Sequence, residues 1–407
     1  MRILMLAQFY PPIVGGIEQH VKSLGAALAA RGHEVSVATL WHPGLPEFEM
    51  DGAVRVYRVH GLAQRFAGLY ITERKHSPPF PDPEVMLALR RVIAQVRPEI
   101  IHAHNWIVRS FLPLKKWSRA KLVVTLHDCS LTCVQMRMMY RDVELCSGPE
   151  FVKCLRCSAH HYGSVKGAAT LLGNQAMNGL ERSRVDMFLP VSRAIADANR
   201  LTSTNVPFQV VPNFVPDDIA AVQDQADPRL SQLPQDGFIL QVGDLARDKG
   251  ISVLLDAYAG LASPPPLVVI GRRLAESPTA FPPNVTVIEG WPHALVMQAW
   301  RRSLFGTVPS TCLDACPTVT LEAMASGRPI VGSRIGGIID QVVDGETGFL
   351  VPPGDVAALR QAMARLMADP ELRARMGEAA KRKVVEFQSS AVVNKIEQVY
   401  RSLWHQR

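Results

Sequence analysis

Apolar runs of strand length recur along this chain with helix-patterned stretches between them. That alternation constrains the fold more than any single motif, because it suits parallel strands joined by helical crossovers. Residues 2–9 form the first run, Pro11-Pro12-Ile13-Val14-Gly15-Gly16 breaks it, and residues 17–31 have helical apolar spacing that Gly32 ends. Further strand candidates lie at 33–39, 54–59, 100–103, 122–126 and 187–191. The second half repeats the scheme at 238–242, 267–270, 285–288, 304–308 and 329–331. With 407 residues, 47% of them hydrophobic, the chain is long enough for two such units, each with its own core. A connection rich in Pro and Asp runs from Val211 to Gly237. The expected division is therefore 1–205, 206–389 and a helical end at 390–407. The tail from Asp355 onward is expected to be helical, with restarts at Asp369-Pro370-Glu371 and Glu386-Phe387.

Charge is divided unevenly. Residues 1–200 carry 25 Lys and Arg against 16 Asp and Glu, whereas residues 201–407 carry 19 against 21. The basic half asks for an acidic partner: anionic lipid, a diphosphate-linked acceptor or nucleic acid. Lys115, Lys116, Arg119 and Lys121 mix with Leu112 and Trp117 as a membrane-surface patch would, against the plainer reading of a solvated helix face. Nucleic acid is set aside, because the bases are not interleaved with an aromatic platform or a recognition helix. No apolar run approaches the ~18–20 residues that span a bilayer. Met1-Arg-Ile-Leu-Met-Leu-Ala7 lacks the h-region and cleavage site of a signal peptide. The expectation is a cytoplasmic protein, with peripheral contact at the cytoplasmic membrane face.

Chemistry concentrates in Val308-Pro-Ser-Thr-Cys-Leu-Asp314-Ala-Cys316-Pro317-Thr318-Val319-Thr-Leu-Glu322, where two acids stand eight residues apart around a helix that a proline starts. Pro317 suits the first turn, where its missing N–H costs nothing, leaving the amides of Thr318 and Val319 pointing outward to attract phosphate or sugar oxygens. Glu322, one turn inside, can accept hydrogen bonds from vicinal ribose hydroxyls. Asp314, in the preceding loop, lies nearer a donor sugar. The plainer alternative is an ordinary capped helix.

This stretch resembles the retaining glycosyltransferases of family 4, which carry Glu-x7-Glu between a Pro-Ser turn and a Leu-Glu-Ala-Met-Ala-x-Gly-x-Pro run. Most of that run is present at 321–329. Asp314 stands where the family usually has Glu, keeping the charge and shortening the reach by one methylene. The resemblance implies an α/β GT-B fold: two Rossmann-like domains facing across a cleft, the first binding acceptor and the second nucleotide sugar, with a last helix crossing back to the first domain. Catalysis would need no metal or other cofactor.

Other segments fit the same resemblance. Gly15-Gly16-Ile17-Glu18 follows the first strand and opens a helix, so unhindered amides can approach phosphate; it matches the family's Gly-Gly-x-Glu loop, which faces the donor diphosphate and the acceptor. Gly243-Asp244-Leu-Ala-Arg247-Asp248-Lys249-Gly250 ends a strand and matches the family's Lys-Gly at 249–250. Asp244 replaces the Arg usual after the first Gly, and an acid there repels phosphate unless it turns away, so Arg247 becomes the second cation beside Lys249. His127 ends a strand candidate at the Thr-x-His-x position, where the family has a histidine that bonds the donor sugar. His104, Arg193 and Asn213 match weaker positions. No Gly-x-Gly-x-x-Gly fingerprint appears, which argues against an NAD enzyme.

Five of the seven cysteines fall between 129 and 157. Cys154-Leu-Arg-Cys157 has the spacing of a zinc knuckle, and Cys133 and Cys146 could complete a four-thiolate structural zinc site within an insertion at 128–163. Unlinked buried thiols and a redox or iron–sulfur role are the alternatives. A cytosolic disulfide is not expected.

The expected function is transfer of a hexosyl unit from a nucleotide diphosphate sugar to a hydroxyl acceptor, a sugar either free or lipid-linked, in polysaccharide or glycoconjugate synthesis. His127 and Asp314 would act at the reacting sugar. The rivals are a GT-B phosphorylase, a sugar-nucleotide epimerase, and a noncatalytic nucleotide-sugar-binding subunit disabled at Asp244 and Asp314.

Overall fold

The computed structural model describes residues 1–13, 15–66, 76–221 and 226–405. The chain divides into two compact units, Met1–Pro212 with Val393–Arg407, and Asn213–Val392.

The first unit is built on nine strands: β1 (Arg2–Ala7), β2 (Glu34–Leu40), β3 (Phe48–Asp51), β4 (Val54–Val59), β5 (Ile100–His104), β6 (Lys121–Leu126), β7 (Met139–Tyr140), β8 (Glu144–Leu145) and β9 (Met187–Pro190). Seven form one sheet in the order β3-β4-β2-β1-β5-β6-β9, and β7-β8 form a separate hairpin. The central strands are buried along nearly their whole length, which is why they read as continuous apolar runs. All pairs in the large sheet are parallel except β3 on β4. β3 escaped the sequence reading because Phe48-Glu-Met-Asp51 is a short, half-exposed edge with little apolar signal. Ala7 pairs with His104, and His104 with Thr125. The carboxyl ends of these strands are therefore level, and His104 and His127 are brought to one sheet edge.

The first unit continues to Pro212 rather than ending at 205, because the incoming chain still pairs with β9. Phe188 N donates to Pro207 O at 2.9 Å, and Val211 N donates to Pro190 O at 3.0 Å. The helix Ser389–His405 returns the chain to this unit. Its residues Ile396, Val399, Tyr400 and Leu403 are buried at helical spacing.

The second unit has six parallel strands, β10 (Ile239–Val242), β11 (Leu267–Ile270), β12 (Val285–Ile288), β13 (Phe305–Val308), β14 (Ile330–Ser333) and β15 (Gly348–Val351), in the order β12-β11-β10-β13-β14-β15. Alternate residues feed two cores. Leu240, Val268 and Ile270 pack on one face, and Ile239, Leu267 and Val269 on the other. β15, four residues closely preceded by the turn glycine Gly345 (φ 78°), was not read from the sequence. No helix among the described residues is long and apolar enough to cross a membrane.

Candidate active site

In the second unit, β10 leads into a 3-10 turn, Arg247–Lys249, closed by Gly250 at φ 74°. A Cβ at Gly250 would lie 1.9 Å from Pro309 O, so only glycine lets this turn meet the loop after β13. Thr311 N donates to Asp248 O at 2.9 Å, joining the two loops. Lys249 Nζ then donates to Asp314 Oδ2 at 2.7 Å, and Ser310 Oγ donates to the same oxygen at 3.0 Å. Burial works against the charge on Lys249, but the field and hydrogen bond of Asp314, with smaller help from Cys312 and Asp248, together hold the ammonium above its ordinary pKa. Asp314 is itself fixed: its N–H donates to Cys312 O at 2.8 Å and its carbonyl accepts from Gly337 N at 2.7 Å.

Pro317 is the N-cap of the helix Thr318–Ala325 (φ −67°, ψ 122°), so the helix starts one residue later than the sequence suggested; the extended ψ keeps the proline outside the first turn. No side chain caps that terminus. Asn213 Nδ2 donates to Cys316 O at 2.9 Å, and Gln341 Nε2 donates to Pro317 O at 3.1 Å. Asn213 thus fixes the turn that leads into the helix. Glu322, only 7% exposed, accepts from His293 Nε2 at 3.1 Å. This bond raises the His293 pKa against the opposing effect of burial. His293 was not foreseen, since a histidine opening a helix between Pro292 and Ala294 carries no motif. Asp244 does turn away: Arg272 grips it through bonds of 2.9 and 2.6 Å. Arg247 is exposed on the turn.

In the first unit Gly15 is the N-cap of the helix Gly16–Ala30, and a Cβ there would lie 2.1 Å from Glu18 Oε2. The buried Glu18 carboxylate therefore folds back over Gly15, whereas a Cβ on Gly16 would meet nothing within 4 Å. At the sheet edge, His20, His104 and His127 have ligand atoms all within 4.8 Å of one another. His104 Nδ1 is 3.0 Å from His127 Nε2. The buried His104 Nε2 has no hydrogen-bond partner among the described residues. A lone pair is cheaper to leave unmatched there than an N–H, so His104 carries its proton on Nδ1 and donates to His127. Burial pushes His20 down to about 4, and burial followed by its imidazole neighbours holds His104 well below its ordinary value. His20 and His104 are thus neutral, and His104 orients His127. The cluster's spacing also admits a divalent ion, with one pair of nitrogens already sharing a proton.

Other expected residues stand apart. Arg193 is exposed, 3.7 Å from Asp197 one turn along its own helix. In the basic segment Lys115 points inward, bonding Asp186 and donating to Ala120 O at 2.6 Å, so it is not part of an open patch; Trp117 is exposed with Arg90 over its ring. None of the seven cysteines is in a disulfide, and Cys133, Cys146, Cys154 and Cys157 line one cavity.

Comparison with known proteins accounts for both units. Residues 14–219 match the family model "Glycosyltransferase Family 4", and residues 223–383 match "Glycosyl transferases group 1". The chain is 43% identical to the D-inositol 3-phosphate glycosyltransferase of Corynebacterium diphtheriae, over 98% of this chain and 94% of that protein. Among solved structures, sucrose-phosphate synthase of Thermosynechococcus elongatus matches with a TM-score of 0.74 at 21% identity, over 100% of both chains. The Anabaena protein HepE in complex with UDP matches at 0.68 and 17%, over 99% of this chain and 100% of that one.

Proposed function

From the chain's membership of the family 4, group 1 glycosyltransferases with the GT-B fold, we propose that it transfers a hexosyl unit from a nucleotide diphosphate sugar to a hydroxyl acceptor with retention of anomeric configuration. The observation that carries this reading is the set built in the second unit: the Lys249 ammonium held by Asp314, the uncapped start of Thr318–Ala325, and the buried Glu322 one turn further on. A fixed cation and free helix amides suit a diphosphate whose negative charge grows as it departs, and preorganised charge is most effective at that moment. Glu322 suits ribose hydroxyls. HepE bound to UDP supports a nucleotide donor.

Asp314 is not assigned as a nucleophile. Its Oδ2 already accepts from Lys249 and Ser310, which ties it to the donor site rather than leaving it to attack as in a retaining glycosidase. The departing phosphate is left to accept the acceptor's proton. His127, oriented by His104, is assigned to the transferred sugar, and Gly16, open in front of its helix, to the diphosphate. The 43% identical inositol-phosphate enzyme favours a small polyol or sugar acceptor.

A thermal-shift screen against UDP-, GDP- and ADP-sugars, followed by anomeric analysis of product, tests the reading. A raised melting temperature with one donor family and a product of unchanged anomeric configuration is expected. Sugar 1-phosphate formed from glycoside and inorganic phosphate would identify a phosphorylase instead. Binding with neither transfer nor slow hydrolysis would identify a noncatalytic subunit.

A further inference from the structure

Cys133, Cys146, Cys154 and Cys157 reach one place from three pieces of chain. Cys133 lies in the turn after β6, Cys146 directly follows β8, and Cys154 and Cys157 are one turn apart in the helix Phe151–Tyr162. Their side chains line a cavity of about 20 Å³, room for a single water-sized sphere. Cys157 Sγ accepts the Arg141 N–H at 3.2 Å, the kind of backbone contact that steadies a metal-bound sulfur.

The base of the segment is held by hydrogen bonds at Leu131, Thr132 and Val134, but the hairpin beyond it is slight. β7 and β8 are two residues each, and only Met139 among those four is buried. Met136, Met138, Arg141 and Asp142 all adopt left-handed backbone (φ 66°, 51°, 51° and 63°), which is unfavourable for residues with a Cβ. A small, strained hairpin without a core of its own needs a cross-link.

We propose that these four cysteines bind one zinc ion as tetrahedral thiolates, tying the hairpin to the helix. The sulfurs do not meet the mutual spacing of 4.8 Å that the three imidazoles meet, so coordination at about 2.3 Å draws helix and hairpin together. The base of the segment is tied beside His127: Leu131 N donates to Asn199 Oδ1 at 3.1 Å, and Asn199 Nδ2 donates to Asp128 O at 2.8 Å. The ion therefore orders the chain that continues from the sheet edge carrying His127. This inference does not depend on the transferase reading.

Metal analysis of the purified full chain, with X-ray absorption at the zinc edge, tests it. One equivalent of zinc with four sulfur neighbours at about 2.3 Å is expected. Cys154→Ser and Cys157→Ser should each lose the metal, whereas Cys129→Ser, outside the cavity, should keep it. If the serine variants do not fold, removing zinc from the unaltered chain with a chelator should lower the melting temperature and expose residues 129–163 to protease, both reversed by added zinc. Absence of stoichiometric metal, iron in place of zinc, a nitrogen shell pointing to His20, His104 and His127, or unchanged melting after the metal is stripped would each overturn the proposal.

Discussion

Asp314 holds Lys249 by a 2.7 Å bond across 65 residues of sequence, so the acid and the cation that the motifs placed separately act as one unit. Burial opposes the charge on Lys249 and Asp314 sustains it. Lys249→Ala should cut turnover by about 10²–10³-fold, the loss seen when one preorganised stabilising group is removed. Asp314→Asn should move the alkaline limb of the pH–rate profile to lower pH, because the main group that opposes burial at the lysine is then lost and only the weaker effects of Cys312 and Asp248 remain. Steady-state kinetics across pH measure both. An alkaline limb that stays in place in Asp314→Asn sinks the pairing role.

Glu322 and His293 make the second linked pair. Glu322→Ala should weaken nucleotide diphosphate binding by about 10–150-fold, the equivalent of ~1.5–3 kcal/mol for hydrogen bonds to a charged group. Titration calorimetry reads this directly, and an affinity within twofold of the unaltered chain removes the ribose assignment.

The same pair predicts a pH dependence. The bond to Glu322 raises the His293 pKa, so as pH falls through that raised value an imidazolium occupies the carboxylate. Nucleotide affinity should therefore drop toward acid pH, and His293→Ala should flatten the curve. Stability has the opposite sign: the pair contributes fully below the unfolded value of about 6.5 and is lost as pH rises through the raised one. With His293 58% exposed, that contribution is small. Affinity curves of the two chains that superimpose across pH exclude the competition.

What the sequence made legible follows from how each feature is encoded. The buried parallel strands are apolar runs, and Pro317, Glu322, Lys249-Gly250 and His127 occupy fixed offsets from strand ends; both are local signals. The ties between them are not. Nothing near Asp314 announces Lys249, nothing near Glu322 announces His293, and Arg272 answers Asp244 from the end of the neighbouring strand. Edge strands such as β3 escape for a related reason: their stability comes from one partner and not from their own apolar content.

Acid should destabilise the first unit. Burial pushes His102 down to about 3 and His20 to about 4, so both stay neutral in the folded chain while the unfolded chain takes up protons below about 6.5. Their contribution is complete above that pH and is lost as pH falls toward the folded values, by up to about 1.4 kcal/mol per pH unit for each. Melting curves between pH 7 and pH 4 measure it. A melting temperature that stays flat over this interval would show that the imidazoles charge without unfolding.

Tyr400 tests how the last helix is tied to the first unit. Its hydroxyl is hydrogen-bonded to His102 Nδ1 at 2.5 Å, and His102 Nε2 to Thr125 Oγ1 at 2.7 Å, a fully buried chain of bonds from the helix into β6. Tyr400→Phe keeps the ring and its packing but leaves the imidazole nitrogen unmatched, which costs about 1–3 kcal/mol. The change should lower the melting temperature far more than it weakens nucleotide affinity, because Lys249 and Glu322, the groups proposed to hold the nucleotide most strongly, belong to the other unit. Loss of nucleotide affinity without loss of stability would instead place Tyr400 in the binding machinery.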